Sequence, residues 1–209
     1  MMVGFCASGR RIGWIVIVLA LSMAAAGCGS ETKVTRVDTG VATDLSGRWN
    51  DTDSRMVAET MVKESLASPW LDNFTRVKSR QPVVVVGTVL NRSHEHIDVQ
   101  TFITDLSREL TNSQKVTFVA GKGERDEVRA ERREQAIHAR EDTQRAPGKE
   151  IGADYMMKGT ISTILDEADG VKAVFYQIDL DMIDLENNVK SWFGQKKIKK
   201  VVERKRSIF

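Results

Sequence analysis

A run of valines near the middle of the chain constrains the fold more than any other feature. Residues 81–90 contain Val83, Val84, Val85, Val86 and Val89, all β-branched and all apolar. A strand of this composition is apolar on both of its faces, so it needs cover on both sides, as a central strand of a layered sheet has. The sequence therefore predicts an α/β domain with helices packed on the faces of a small mixed sheet.

Helical patterns lie on either side of this strand. The first predicted helix follows the possible capping residues Asp51, Asp53 and Ser54 and ends at Pro69. A second helix is predicted after Asp98, and a third, highly charged and therefore largely solvated, over residues 121–142. Weak alternation at residues 115–120 predicts a short strand between these two helices.

The carboxyl-terminal part of the chain predicts an antiparallel meander. In residues 174–182, apolar side chains occupy alternate positions, whereas Asp179 and Asp181 fall on the other face, which is the period of a half-buried strand. Asp184 points the opposite way, so the three aspartates favour a solvated strand face over a metal site. Turns at residues 168–170 and 187–188 separate this strand from its neighbours, and the last strand is predicted over residues 189–200.

The amino terminus has the pattern of an exported lipoprotein. Arg10 and Arg11 precede an apolar run at residues 12–26, which is too short to span a bilayer comfortably and typical of a cleavable signal peptide. The segment Ala25-Ala26-Gly27-Cys28 looks like a bacterial lipobox, in which Cys28 receives the lipid. We therefore predict a signal peptide at residues 1–27, the lipidated Cys28 and a flexible tether at 28–46, and a globular domain at 47–209. Gly29 is not the aspartate that retains lipoproteins in the inner membrane, so we expect the outer membrane, facing the periplasm.

Charge gives no indication of nucleic-acid binding. The chain has 31 Lys and Arg residues and 29 Asp and Glu residues, and loss of Arg10 and Arg11 with the signal peptide leaves these counts equal. The basic residues are nevertheless concentrated at the end of the chain. Eight of them lie in residues 189–209 against the single acid Glu203. This segment is either a solvated strand edge or a surface that attracts anionic partners.

The sequence offers no recognisable catalytic constellation. Neither the Ser-x-x-Lys motif nor the Gly-x-Ser-x-Gly motif occurs, and the glycines at 121 and 123 lack the spacing of a phosphate-binding loop. His94-Glu95-His96 lacks the spacing that places two imidazoles on one helical face for zinc. We therefore expect a protein that is not an enzyme and that needs neither a cofactor nor a metal.

Several segments together resemble the LpoB family, outer-membrane lipoproteins that activate penicillin-binding proteins. The segments that carry the resemblance are Leu45-Ser46-Gly47-Arg48-Trp49-Asn50-Asp51-Thr52-Asp53-Ser54, Asn91-Arg92-Ser93, Glu95-His96-Ile97-Asp98, Gly152-Ala153-Asp154-Tyr155 and the strand at 187–200. The resemblance implies a fold like the amino-terminal domain of TolB and a non-catalytic role.

The same resemblance implies a partner. That partner would be a bifunctional class A penicillin-binding protein, whose peptidoglycan synthesis the chain stimulates, with peptidoglycan itself a further candidate. Arg92, Lys197 and Lys199 are the candidate partner-binding residues. The alternative is a structural lipoprotein of an envelope assembly or secretion apparatus.

Overall fold

The structure, a computed structural model, describes residues 33–145 and 147–203. The predicted signal peptide, Cys28 and the last basic residues, Arg204, Lys205 and Arg206, lie outside the described residues. The chain divides into two compact units, Met1–Thr39 and Gly40–Phe209. In the first unit, the described residues 33–39 are exposed and form no helix or strand. The second unit contains every helix and strand described below.

The elements of the second unit alternate between helices and strands before a final run of strands. In chain order they are α1 (Asp51–Leu66), α2 (Pro69–Lys78), β1 (Val83–Arg92), α3 (Val99–Asn112), β2 (Thr117–Phe118), α4 (Lys122–His138), β3 (Tyr155–Ala168), β4 (Val171–Asp184) and β5 (Lys190–Glu203). The five strands form one sheet in the order β2-β1-β3-β4-β5. β1 pairs in parallel with β2 and β3, and β3, β4 and β5 form the predicted antiparallel meander. The prediction of a mixed α/β fold is confirmed.

The amino-terminal helices differ from the predicted single helix. Asn50, not one of the three predicted residues, caps α1: its side chain accepts a hydrogen bond from the Asp53 backbone, and Asp53 accepts one from the Asn50 backbone. This is a capping box, which satisfies two amide groups that a helix start leaves unpaired. Pro69 ends the first apolar pattern, as expected, but it also begins α2, because a proline is well suited to the first position of a helix.

The hydrophobic core lies between one face of the sheet and helices α1 and α3. We call this side of the sheet the inner face. Its buried residues include the alternate positions of β4, namely Val174, Tyr176, Ile178, Leu180 and Met182, together with Met157 and Ile161 of β3. Phe102, Leu106 and Leu110 of α3 complete the core from the helical side, at the three- and four-residue spacing of a helix stripe.

A bulge in β1 keeps its valines directed at the core. Val84 and Val86 lie opposite Tyr155 and Met157, and the register then shifts so that Val89 lies opposite Gly159. All three valines are part of the core although their spacing changes from two to three. Val83 and Val85 are buried too, as expected for a strand covered on both sides.

Asp154 joins the start of β3 to the start of β1. Its carboxylate accepts two hydrogen bonds of 2.7 Å from the Arg80 guanidinium and a third, also of 2.7 Å, from the Val83 backbone. Partial burial opposes ionisation of this carboxyl, but Arg80 and the Val83 amide lower its pKa below the usual range. Asp154 therefore stabilises the parallel pairing of the two strands.

Candidate docking surface

The side of the meander opposite the core is open to solvent, and we call it the outer face. It consists of Leu90 and Arg92 of β1, Ser162 and Ile164 of β3, Phe175 and Gln177 of β4, and Phe193, Lys197, Lys199 and Val201 of β5. The apolar side chains are unusually accessible: Ile164 is 66% exposed, and Phe193 and Val201 are each 56% exposed. Exposed apolar side chains grouped on one sheet face are typical of a protein-binding surface.

The three candidate binding residues lie together on this face. In the strand register, Arg92 pairs with Ser162, Ser162 with Gln177, and Gln177 with Lys197, so these four residues form one row across the sheet. Three strand spacings of about 4.8 Å separate the ends of the row, which is therefore about 14 Å long. Lys199 belongs to the same face and lies two residues beyond Lys197 on β5. The fold thus brings Arg92 onto the same face as Lys197 and Lys199, which are more than a hundred positions away in the sequence.

Arg92, Lys197 and Lys199 are exposed, and none of them forms an ion pair with another described residue. Among the acids on this side of the sheet, Asp166 and Glu203 are exposed and form no ion pair with another described residue. Asp179 accepts hydrogen bonds from Gln177 and Gln195, and Asp181 pairs with Lys190 at 3.0 Å. Because none of these acids is paired with Arg92, Lys197 or Lys199, the positive charge of these three residues is available to an acidic partner.

Lys200, the neighbour of Lys199, has the opposite environment. Its side chain is only 10% exposed, and its ammonium donates to Asp53 at 2.6 Å, to Asp44 at 2.7 Å and to the Arg48 carbonyl at 3.1 Å. Burial disfavours the charged ammonium, but the two carboxylates outweigh it and raise the pKa of Lys200. The hydrogen bond from Lys200 in turn lowers the pKa of Asp44. This cluster holds residues 44–48 and the start of α1 against β5.

A second polar contact holds the same segment against β4. The Tyr176 hydroxyl lies 2.9 Å from Glu95 Oε1 and 3.1 Å from the Gly47 carbonyl, so its single proton is shared between two acceptors. Glu95 Oε2 accepts from the backbone of Trp49 at 3.2 Å. Burial, followed by the hydrogen bond to Glu95, raises the pKa of Tyr176. Both oxygens of Glu95 are therefore occupied.

Sequence reasoning did not find these two polar contacts. Lys200 is one of several lysines in a basic segment, and Tyr176 is one of several apolar positions in an alternating strand. The period of two could have separated Lys200 from Lys199, because the two side chains must point to opposite faces. Nothing in the spacing indicates that Asp53 and Asp44 meet Lys200 across about 150 residues.

The weaker candidate sites have structural roles. Glu95 of the His94-Glu95-His96 segment bonds to Tyr176 and Trp49, and the His94 ring lies 3.2 Å from the Thr163 hydroxyl. In the part of the chain that the structure describes, no group of three or more His, Cys, Asp or Glu residues is placed to hold a metal ion. Across residues 33–145 and 147–203, no helix has the length and apolar character needed to cross a membrane.

The family model of the peptidoglycan-synthase activator LpoB matches residues 53–198, well over half of the chain. The chain belongs to the LpoB family. The LpoB family resemblance expected from the sequence motifs is thereby confirmed. As a member, the chain is a regulator of peptidoglycan synthesis and not an enzyme, and its relatives are envelope lipoproteins.

Solved structures of this family are similar at low sequence identity. The LpoB C-terminal domain from Escherichia coli is 18% identical, with 71% of this chain and 99% of that chain covered and a TM-score of 0.42. The domain from Salmonella enterica is 15% identical, with 73% and 99% covered and a TM-score of 0.38. The solution structure of E. coli LpoB is 14% identical, with 86% and 88% covered and a TM-score of 0.41. No curated protein sequence matches this LpoB family chain.

Proposed function

We propose that this chain is a lipoprotein of the outer membrane, attached through Cys28, that binds a class A penicillin-binding protein and stimulates its peptidoglycan synthesis. Membership of a peptidoglycan-synthase activator family supports the activity. The lipobox supports the attachment. The observation that carries the choice of docking surface is the row from Arg92 to Lys197, which crosses an accessible apolar sheet face.

An activator that performs no chemistry works through differential binding. It shifts its partner towards the active state only by as much as it binds that state more tightly than the inactive one. An outer face with Phe193, Val201 and Ile164 can bury apolar area, and the basic row can orient an acidic partner. Neither contribution requires the chain to touch the substrate of the synthase.

The test compares charge reversal on the outer face with charge reversal elsewhere. The triple variant Arg92→Glu, Lys197→Glu and Lys199→Glu should lose binding to the purified class A synthase of the same organism and should lose stimulation of glycan polymerisation. The matched control also reverses three charges, with Lys63→Glu, Arg76→Glu and Lys115→Glu, because these three residues are exposed, do not belong to the outer face and form no ion pair among the described residues. Equal stimulation by the outer-face triple variant and the unaltered chain would refute this docking surface.

Two further measurements test the remainder of the proposal. Photocrosslinking in cells from position 199, with position 63 as the control, should capture the synthase. Cys28→Ser should move the protein from the membrane fraction to the soluble fraction. If the unaltered chain leaves synthase activity unchanged while its deletion impairs export or envelope integrity, the alternative of a structural envelope component replaces this proposal.

A further inference from the structure

A cavity of about 370 Å³ lies on the inner face at the far end of the β3–β4 hairpin, away from the outer face. Its floor consists of Thr163, Leu165, Lys172 and Val174, which share the inner side of the two strands. Its walls are His94, Glu95 and His96 from the loop between β1 and α3, and Arg48 and Trp49 from the segment before α1. The Lys200 and Tyr176 contacts described above hold these walls in place.

The polar side chains of this cavity carry nitrogen groups, apart from Glu95 and Thr163. Arg48 and Lys172 form no ion pair with any other described residue, and His94 and His96 add imidazole nitrogens. The one carboxylate in the lining, Glu95, has both oxygens engaged by Tyr176 and the Trp49 backbone. Glu167 lies across the hairpin from Lys172 but is not part of the lining. Both partners of Glu95 are neutral groups, so the lining carries two cations against one carboxylate. Its net charge is positive, which favours an anionic ligand.

The walls also offer apolar contact to a ligand. Leu165 is 46% exposed although it faces the inner side of the sheet, and Trp49 and Val174 border the same space. The carboxylate of a glutamate or aspartate inserted here would lie near Arg48 and Lys172. Apolar residues next to it in the same segment would then pack on Leu165 and Trp49. A guanidinium and an ammonium recognise a carboxylate through charge-assisted hydrogen bonds.

We propose that this cavity binds an acidic side chain of a protein segment in which acidic and apolar residues alternate. The exposed Leu165 favours a protein segment, because apolar side chains next to the acidic residue can cover it. The site is separate from the outer face and does not depend on the function proposed for that face.

The probe is a fluorescent, end-capped peptide of alternating leucine and glutamate, titrated against the full chain by fluorescence anisotropy. The glutamate peptide should bind at least about tenfold more tightly than the same peptide with glutamine, which has the shape but not the charge. The variant Arg48→Gln with Lys172→Gln should weaken binding by about tenfold or more, whereas Lys197→Gln with Lys199→Gln should leave it unchanged.

Three outcomes would overturn the proposal. The first is equal binding of the glutamine peptide, and the second is unchanged binding by the Arg48 and Lys172 variant. The third is binding of a soluble disaccharide-tetrapeptide from peptidoglycan that is lost in the Arg48 and Lys172 variant, while the glutamate peptide does not bind. The melting temperature of each variant serves as the folding control. It should not change, because the side chains of Arg48 and Lys172 lie at the surface of the cavity. The function proposed for the outer face does not involve this cavity. Failure of the peptide to bind would therefore leave the measurement of synthase stimulation unaffected.

Discussion

Lys199 and Lys200 are adjacent in the sequence and chemically identical, yet they occupy opposite environments. Lys200 faces the inner side of the sheet and meets two carboxylates, whereas Lys199 faces the outer side and meets none among the described residues. The alternation of β5 alone assigns these roles. The comparison indicates that the inner positive charge serves the fold and that the outer positive charge remains available to a partner.

The largest effect should follow loss of the inner lysine. Lys200→Met would leave the buried Asp53 carboxylate without its cation and should lower the free energy of unfolding by about 3 kcal/mol. For a domain of this size, that corresponds to a fall of roughly 6–12 °C in melting temperature. Lys199→Met is the matched control and should melt within about 1–2 °C of the unaltered chain, since surface substitutions change stability by at most about 0.5 kcal/mol. Equal melting temperatures for the two variants would contradict the assignment.

A glycine on the inner side of the same strand should be nearly as sensitive. A Cβ at Gly194 would overlap the Trp192 ring and lie 3.2 Å from the end of the Met61 side chain, so the Trp192 ring would have to move against the core. Gly194→Ala should therefore cost about 2 kcal/mol, in the range of overpacked cores. Gln195→Ala, one residue along and on the outer side, is the control for a change in the same strand. Chemical denaturation measures both, and a Gly194→Ala variant of unchanged stability would show that the Trp192 ring can move without loss of packing.

The hydroxyl of Tyr176 should contribute less. Tyr176→Phe keeps the buried ring but leaves Glu95 with only the Trp49 backbone as a partner, so we expect a loss of about 1–2 kcal/mol. Glu95→Gln should recover part of this loss in the double variant, because a neutral amide is less costly than a carboxylate with an unfilled acceptor. A double-variant cycle by thermal unfolding measures this coupling, and strict additivity would mean that the two groups do not interact.

Both acid and alkali should weaken the contacts that Lys200 makes with Asp44 and Asp53. Asp44 has a lowered pKa, so its contribution is present above its ordinary pKa of 3.8 and disappears as the pH falls further. Lys200 has a raised pKa, so its contribution is present below its ordinary pKa of 10.5 and disappears as the pH rises further. The difference in melting temperature between Lys200→Met and the unaltered chain should therefore narrow at both extremes. A constant difference from pH 3 to pH 11 would contradict this linkage.

The sequence predicted the alternating strands and the valine strand because their periods depend only on local residues. It missed α2, because a proline ends one helix and begins the next with equal ease. It also missed the Lys200 cluster, because Asp44 and Asp53 reach Lys200 only after the sheet has formed. Several residues that carry the family resemblance, such as Trp49, Glu95 and Asp154, prove to be members of these long-range polar contacts. Arg92, Lys197 and Lys199 could be proposed singly from the sequence, but their common position on the outer face depends on the β1–β3 crossover.

The smallest effect on stability should accompany a clear effect on binding. Lys197→Ala with Lys199→Ala removes two exposed charges that have no acidic partner among the described residues, so the free energy of unfolding should change by no more than about 0.5 kcal/mol. If these charges attract an acidic partner, the affinity of the unaltered chain for the synthase should fall as salt rises from about 0.05 to 0.5 M, because screening shortens the range of surface charges. The affinity of the variant should be lower at low salt and should depend less on salt.

The control variant, Lys63→Ala with Lys115→Ala, removes the same charge from exposed positions that do not belong to the outer face. Its affinity for the synthase should keep the salt dependence of the unaltered chain. Parallel salt curves for the two double variants would mean that the net charge of the chain, not the basic row of the outer face, attracts the partner.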